Sequence, residues 1–318
     1  MKPNALTPGQ TIGLVAPSSP SRDDDDVRMA VEILESLGFN VKESANLYRR
    51  HGYLAGSDAE RAADLNAMFG DDTVDAIFAM HGGYGASRIL PLLDCECIRA
   101  NPKVLLGFSD ITALLNGIFV QTGLITFHGK VAAGNFTDYA LAEFKKVLMA
   151  DSTSTTIGVP PPFDAKEGRI DRENRLVRMA LGKAQGQLIG GNLTLLSHLI
   201  GTPYIPDFEW KLLFLEDVGE SVYRIDRMLT QLLLAGKLQQ VAGIVLGKFT
   251  DCEPLYSSGC SLSLTEVLVD RCGQLGVPVL RGMMIGHIDE QTVVPVGCLA
   301  ELDVDAGMLT LLESACRV

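Results

Sequence analysis

Short apolar runs alternate with amphipathic stretches through the first half of the chain, and this limits the fold more than any other feature. Thr11 to Ala16 (TIGLVA) reads as a strand that stops at Pro17-Ser18-Ser19-Pro20. Val27 to Leu37 has helical periodicity and ends at Gly38, and Asn40 to Glu43 is a weaker strand. Ser57 to Met68 is a helix with a polar first turn. Val74 to Met80 is a strand that runs into the loop His81-Gly82-Gly83-Tyr84-Gly85, and Ala86 to Leu93 is a helix. Lys103 to Gly107 and Ile111 to Phe119 form one more strand and helix. Repeated β-α units of this length predict a parallel sheet covered by helices on both faces. Ligands of such sheets sit at the carboxyl ends of the strands.

Periodicity fades from Asp151 to about Asp171, where STSTT and Pro160-Pro161-Pro162 read as linker. The expected organisation is therefore an N-terminal α/β domain over 1–150, a linker over 151–171 and a C-terminal domain over 172–318. In the second half, Lys211 to Leu215 reads as a strand closing on Glu216-Asp217, Ser221 to Ala235 as a helix, Val241 to Phe249 as a strand and Leu262 to Cys272 as a helix. Short strands follow near Val279, then at Met283 to Gly286, Thr292 to Pro295, Leu299 to Val304 and Met308 to Glu313.

Net charge excludes some partners. At −12 the chain repels phosphate backbones, and its longest basic runs are pairs such as Arg49-Arg50 and Lys145-Lys146. Nucleic acid is not an expected partner. The run Asp23 to Asp26 reads as the start of a helix, where acids complement the dipole, rather than as a metal site. No run of eighteen apolar residues predicts a membrane span. The opening MKPNALTPGQ has no basic segment followed by an apolar one, so a cytoplasmic location is expected. The seven cysteines are scattered, with Cys95-Glu96-Cys97 as C-x-C, and are expected to be reduced thiols. The five histidines show no zinc-binding spacing, so neither a metal nor a cofactor is expected.

The chemistry-bearing segment is Phe108-Ser109-Asp110, between the strand ending at Gly107 and the helix from Ile111. A serine on a sharp strand-to-helix turn has its hydroxyl pushed out at the carboxyl end of a sheet, above a helix N-terminus that favours negative charge. In its plainer role, a serine before an apolar helical run is an N-cap. A nucleophile also needs a base, and the base needs a partner to orient it. His287, ending the run Met283 to Gly286, is a candidate base; a lone histidine there can also be structural. Glu216 follows four apolar residues and would lie at a sheet edge, as a salt-bridge partner or as the acid that orients an imidazole. The loop Gly82-Gly83-Tyr84-Gly85 lacks the Lys-Ser/Thr of a phosphate loop. It reads either as a tight turn or as an oxyanion-hole wall, with Gly83 and Tyr84 facing the amide of Asp110.

These segments converge on a family. Gly9-Gln10-Thr11-Ile12-Gly13-Leu14-Val15-Ala16-Pro17-Ser18-Ser19-Pro20 is joined by Gly82 to Gly85, Gly107-Phe108-Ser109-Asp110, Gly190-Gly191-Asn192-Leu193 and Leu215-Glu216-Asp217-Val218-Gly219-Glu220. Tyr223-Arg224-Ile225-Asp226-Arg227 and Gly286-His287 complete a set that spans nearly the whole chain. Together they resemble the LD-carboxypeptidase family of serine peptidases, which also includes the microcin C immunity peptidases. The resemblance implies Ser109 as nucleophile, Glu216 as triad acid, His287 as base, and Asp110 with Gly83 and Tyr84 in the oxyanion region. It implies an N-terminal α/β domain with a C-terminal domain rich in β-structure, in a cytoplasmic, often dimeric enzyme that needs no metal. The reaction implied is release of terminal D-alanine from diaminopimelate-containing murein tetrapeptides in cell-wall recycling. Two positions depart from the family pattern: His81 stands where Arg is usual, and Lys130 where Pro follows His128-Gly129. His81 is also a rival base.

Two other functions remain open at this level. An immunity-type peptidase would cleave a peptidyl or acyl-nucleotide conjugate and would need an aromatic platform, for which Trp210 is the single tryptophan. A non-catalytic two-lobe protein would simply clamp a small ligand, but it leaves Ser109, Glu216 and His287 unexplained.

Overall fold

The computed structural model describes all residues except 151, 164–166, 169, 172, 173, 255–260 and 318. The strands are β1 (Thr11–Val15), β2 (Asn40–Glu43), β3 (Ala76–Ala79), β4 (Val104–Gly107), β5 (Thr126–His128), β6 (Thr155–Ile157), β7 (Val177–Ala180), β8 (Lys183–Asn192), β9 (Leu212–Val218), β10 (Gly243–Thr250), β11 (Val279–Arg281), β12 (Val294–Val296), β13 (Leu299–Asp303) and β14 (Met308–Leu311). The α-helices are α1 (Asp24–Ser36), α2 (Asp58–Gly70), α3 (Ala86–Ile89), α4 (Cys95–Ala100), α5 (Thr112–Thr122), α6 (Asp138–Leu148), α7 (Leu193–His198), α8 (Val222–Leu234) and α9 (Leu264–Arg271).

Two sheets result. The first has the order β12-β5-β4-β3-β1-β2; strands β1 to β5 are parallel to one another, and β12 is antiparallel to β5 at the edge. Its strand order turns around between β1 and β3, so the loops after these two strands open a crevice at their carboxyl ends, where α/β sheets bind ligands. The second sheet is mixed, in the order β6-β14-β13-β8-β9-β10-β11-β7, with a parallel centre of β8 to β11. The molecule is thus α/β, with a mostly parallel N-terminal sheet and a β-rich second half.

Side-chain alternation along β9 sets the site. Leu212 and Phe214 join the core shared with the first sheet, whereas Leu213 and Leu215 join the core shared with α8. With a period of two, Glu216 falls on the face turned to the first sheet and Asp217 on the other.

Several expectations need correction. Glu216 does not end a strand at a sheet edge: β9 runs on to Val218 and lies in the middle of its sheet. Met283 to Gly286 is not a strand. Its side chains are buried, but the backbone bends at Gly282 (φ 99°) and Gly286 (φ 123°), making a buried loop across the strand ends. The stretch expected to be linker contains β6, and part of it lies outside the described residues. The helix after Ser109 opens with a 3-10 turn over Ser109–Ile111 before α5. Asp23 to Asp26 is the N-cap and first turn of α1, as its position suggested, with Asp23 accepting from the Asp26 N–H at 3.0 Å. Cys260 lies outside the described residues, and the other six cysteines are free thiols.

α5 is stapled to the second sheet at Gly190. Asn116 Nδ2 donates to the Gly190 carbonyl at 2.8 Å, and its Oδ1 accepts from the Gly190 N–H at 3.3 Å. Gly190 has a φ of 130°, and a Cβ there would overlap the Phe214 carbonyl oxygen on β9. Gly190→Ala is therefore expected to lose about 3 kcal/mol of stability, from left-handed strain and overpacking together. Urea unfolding would measure it; a midpoint equal to wild type would contradict this packing.

Candidate active site

Ser109 is held by a tight turn. β4 is buried throughout, Phe108 stays extended, and the backbone then swings to a φ of 62° at Ser109. A left-handed conformation at a residue with a Cβ costs energy and occurs where the surroundings enforce it. Ser109 does not cap the helix: the cap positions of the 3-10 turn and of α5 fall to Phe108 and Ile111. Gly82 packs on the serine so closely that a Cβ there would lie 2.7 Å from Ser109 Cβ, 3.0 Å from Oγ and 3.4 Å from the Asp110 nitrogen.

The side chain of Asp110 has a separate task. It is buried and accepts hydrogen bonds from the Ser18 hydroxyl and, at 2.8 Å, from the Ala86 N–H. It therefore ties the loop after β1 and the start of α3 to the serine turn. Burial pushes its pKa up, against the pull of those donors. Ser19 completes the seam, donating its N–H to the Gly82 carbonyl at 3.3 Å and accepting from the Tyr84 N–H at 3.1 Å. Gly83 has a φ of 113°, and a Cβ there would run into Ser19. Since the Tyr84 amide is occupied by Ser19, the amides beside Ser109 that remain from the sequence reading are those of Gly83 and Asp110.

Glu216 is completely buried, and one of its oxygens, Oε2, lies 2.7 Å from Nδ1 of His287. A carboxylate partner makes Nδ1 the donor and leaves Nε2 with its lone pair. The loop reaches the carboxylate because residue 286 is glycine: a Cβ there would stand 3.0 Å from both Glu216 Cβ and Oε2. The His287 ring packs on Phe108 with centroids 4.7 Å apart, and Thr250 Oγ1 donates to the His287 carbonyl at 3.0 Å. Ser109 and His287 line one cavity of about 380 Å³, together with Ser19, His81, Gly82 and Phe108. No hydrogen bond joins Ser109 Oγ to the ring in this conformation; the ring's bond is the one to Glu216.

The structure thus brings Ser109, Asp110, Gly83, Glu216 and His287 together. His81 lines the same cavity, but its nearest acid, Asp26, is 3.8 Å from Nε2, and burial lowers its pKa. Lys130 turns to Asp289, donating to its carbonyl at 3.2 Å. Trp210 is 73% exposed and precedes β9, at the opposite end of that strand from Glu216. Sequence reasoning missed Phe108 and Thr250 as supports of His287. Phe108 adjoins the serine and was within reach of a local reading; Thr250 lies in a strand with no motif around it. Also missed was His128, fully buried behind the site between Phe108 and Phe214, with ring centroids at 6.1 and 5.4 Å.

Two buried groups give the fold a pH signature. Burial pushes the His128 imidazole down to about 4 from 6.5. The unfolded chain then binds a proton that the folded one refuses. Stability from His128 is whole above about 6.5 and is lost as pH falls towards 4. Asp217, bonded to Asn192, Thr194 and the Val218 N–H, is pushed up to about 6 by burial and has the opposite sign. Its contribution is present below about 4 and lost as pH rises through 6. Comparing wild type with His128→Leu isolates the first effect. Between about pH 7 and 4.5 wild type is expected to lose roughly 2 kcal/mol more than the variant. Parallel pH profiles in urea unfolding would refute it.

The sequence and fold find counterparts among known proteins. The model of the LD-carboxypeptidase N-terminal domain matches residues 12–129, and that of the C-terminal domain matches 185–302. A probable murein peptide carboxypeptidase of Bacillus subtilis is 42% identical over 95% of this chain and 91% of its own. The microcin C7 self-immunity protein MccF of Escherichia coli is 30% identical over 97% and 94% of the two chains. The solved structure of MccF in complex with glutamyl sulfamoyl guanosine superposes with a TM-score of 0.88 at 28% identity, covering 99% of each chain. The muramoyltetrapeptide carboxypeptidase of Oxalobacter formigenes does so with 0.79 at 28% identity, over 95% and 98%. Two family models in order and full-length relatives place the chain in the LD-carboxypeptidase family of serine peptidases.

Proposed function

We propose that the protein releases terminal D-alanine from diaminopimelate-containing murein tetrapeptides, with Ser109 as nucleophile. The observation that carries this reading is the buried Glu216–His287 bond, whose imidazole shares a cavity with a serine held on a strained strand-to-helix turn. Nε2 of His287 takes the Ser109 proton as Oγ attacks the scissile carbonyl. Glu216 fixes the tautomer and stabilises the imidazolium without accepting the proton. The amides of Gly83 and Asp110 face the developing oxyanion. His287 then hands the proton to the leaving amine of D-alanine, and water, activated by the same ring, cleaves the acyl-enzyme. The murein peptide and tetrapeptide carboxypeptidases among the relatives support the substrate class. The reading extends to a cytoplasmic homodimer, as the family resemblance implies.

A second reading is cleavage of an acyl-nucleotide conjugate, favoured by the higher TM-score of the immunity protein. Against it stands Trp210, which lies away from the cavity and offers no platform for a base.

Mass spectrometry of murein tetrapeptide digests tests the choice. D-alanine release is expected with and without chelator, and no release of L-alanine from the peptide that ends in it, since a pocket shaped for one hand leaves contacts unmade with the other. Ser109→Ala or His287→Ala should lower kcat on the order of 10⁴-fold or more, and Glu216→Gln somewhat less. Turnover of a nucleotide conjugate alone would favour the second reading, and activity that survives Ser109→Ala would remove the serine from the mechanism.

A further inference from the structure

A larger cavity, about 870 Å³, lies at the carboxyl ends of β10 and β11. Ile288, Asp289 and Glu290 wall it directly after His287, so one segment of chain serves both cavities. Thr250 lines it too, and its hydroxyl holds the His287 carbonyl. β9, which carries Glu216, is the parallel neighbour of β10. The large cavity is therefore set beside the reacting groups, at the strand ends where such sheets take ligands.

Its charges are arranged in an uncommon way. Arg175 and Arg281 share the cavity with Glu253 and Glu290, yet among the described residues none of the four has an ion-pair partner. Arg281 is half-buried and fixed by a 2.8 Å bond to Thr265 Oγ1 on α9. Burial lowers its pKa with no carboxylate to offset the effect. The neighbours are engaged: Asp289 lies 3.8 Å from Lys130, and Lys248 donates to Asn174 at 3.1 Å. A guanidinium taken partly out of water without an acid is costly unless a ligand supplies one. Opposite charges that share a cavity and do not reach each other suit a ligand that carries both.

Diaminopimelate is such a ligand. One end supplies the scissile carbonyl; the other, on a short methylene tether, bears a free ammonium and a free carboxylate. We infer that the large cavity is the subsite for this zwitterionic side-chain end, its carboxylate held by Arg281 and Arg175 and its ammonium by Glu290 and Glu253. The inference rests on the peptidase reading above and adds the residues that choose the amino acid before the cleaved bond.

Three tetrapeptides test it, with diaminopimelate, diaminopimelate amidated on its side-chain carboxyl, or lysine at the third position. Wild type is expected to favour the first over both others by about tenfold to a hundredfold in kcat/KM. Arg281→Gln should erase most of that preference through KM, leaving kcat and the lysine peptide within about twofold. Arg175→Gln, at an exposed position, should reduce the preference in the same sense. Equal turnover of all three peptides by wild type would overturn the inference. So would a preference that both variants keep, or an equal loss on every peptide, which would put the cavity on a part of the substrate common to all. If none of the three peptides released D-alanine, the peptidase reading itself would fall, and the inference with it.

Discussion

A carboxylate with no solvent contact, set in the middle of an eight-stranded sheet, governs much of this molecule. Removing a charge from water costs several kcal/mol, and leaving it alone there would destabilise the sheet around it. Glu216 is tolerated because His287 meets it at 2.7 Å. That single contact then dictates its surroundings. The loop can approach only with glycine at 286, the histidine carbonyl is fixed by Thr250, and Phe108 closes over the ring. The residue beneath Phe108 in the chain is Ser109, so the support of the imidazole and the turn of the serine are one piece of structure.

The second constraint is the seam around Asp110. Its buried side chain joins Ser18 from the loop after β1 to Ala86 at the head of α3, while Ser19 joins Gly82 and Tyr84. These bonds close the crevice where the strand order of the first sheet turns around. They also explain why small residues gather there: Gly82 and Gly83 abut Ser109 and Ser19 with no room for a methyl group. In the reading proposed above, these walls hold the backbone amides beside the serine before any ligand arrives, as electrostatic stabilisation of an oxyanion requires.

The parallel first sheet was legible because its signals are local. Most strands are short apolar runs, helices α1 and α2 start at the capping residues Asp23 and Ser57, and the period of the apolar positions separates the two types. The serine turn was legible for the same reason. Glu216 was found as an acid, but its place was misread. An apolar run stopping at a carboxylate looks like a strand end, and only the histidine, 71 residues away, makes a buried acid tenable. Met283 to Gly286 misled in the opposite sense: burial was read correctly from its side chains, but two glycines with positive φ decide that the backbone bends. The partners of Asp110 and the support from Thr250 are tertiary contacts with no spacing to betray them.

β12, Val294–Val296, is the antiparallel edge strand of the first sheet, although all its other strands come from the first 128 residues. Until that segment has been synthesised, β5 presents an unpaired edge, the kind of surface on which chains aggregate. Closing it requires a contact between positions 128 and 294, a separation that slows assembly, since the intervening chain must be brought to order first. The segment between His287 and β12 is short, so the strand that seals the sheet also draws the histidine towards the serine. A growing chain therefore gains a complete first sheet and an aligned imidazole in the same late event, and a ribosome-bound fragment carrying the serine alone has neither.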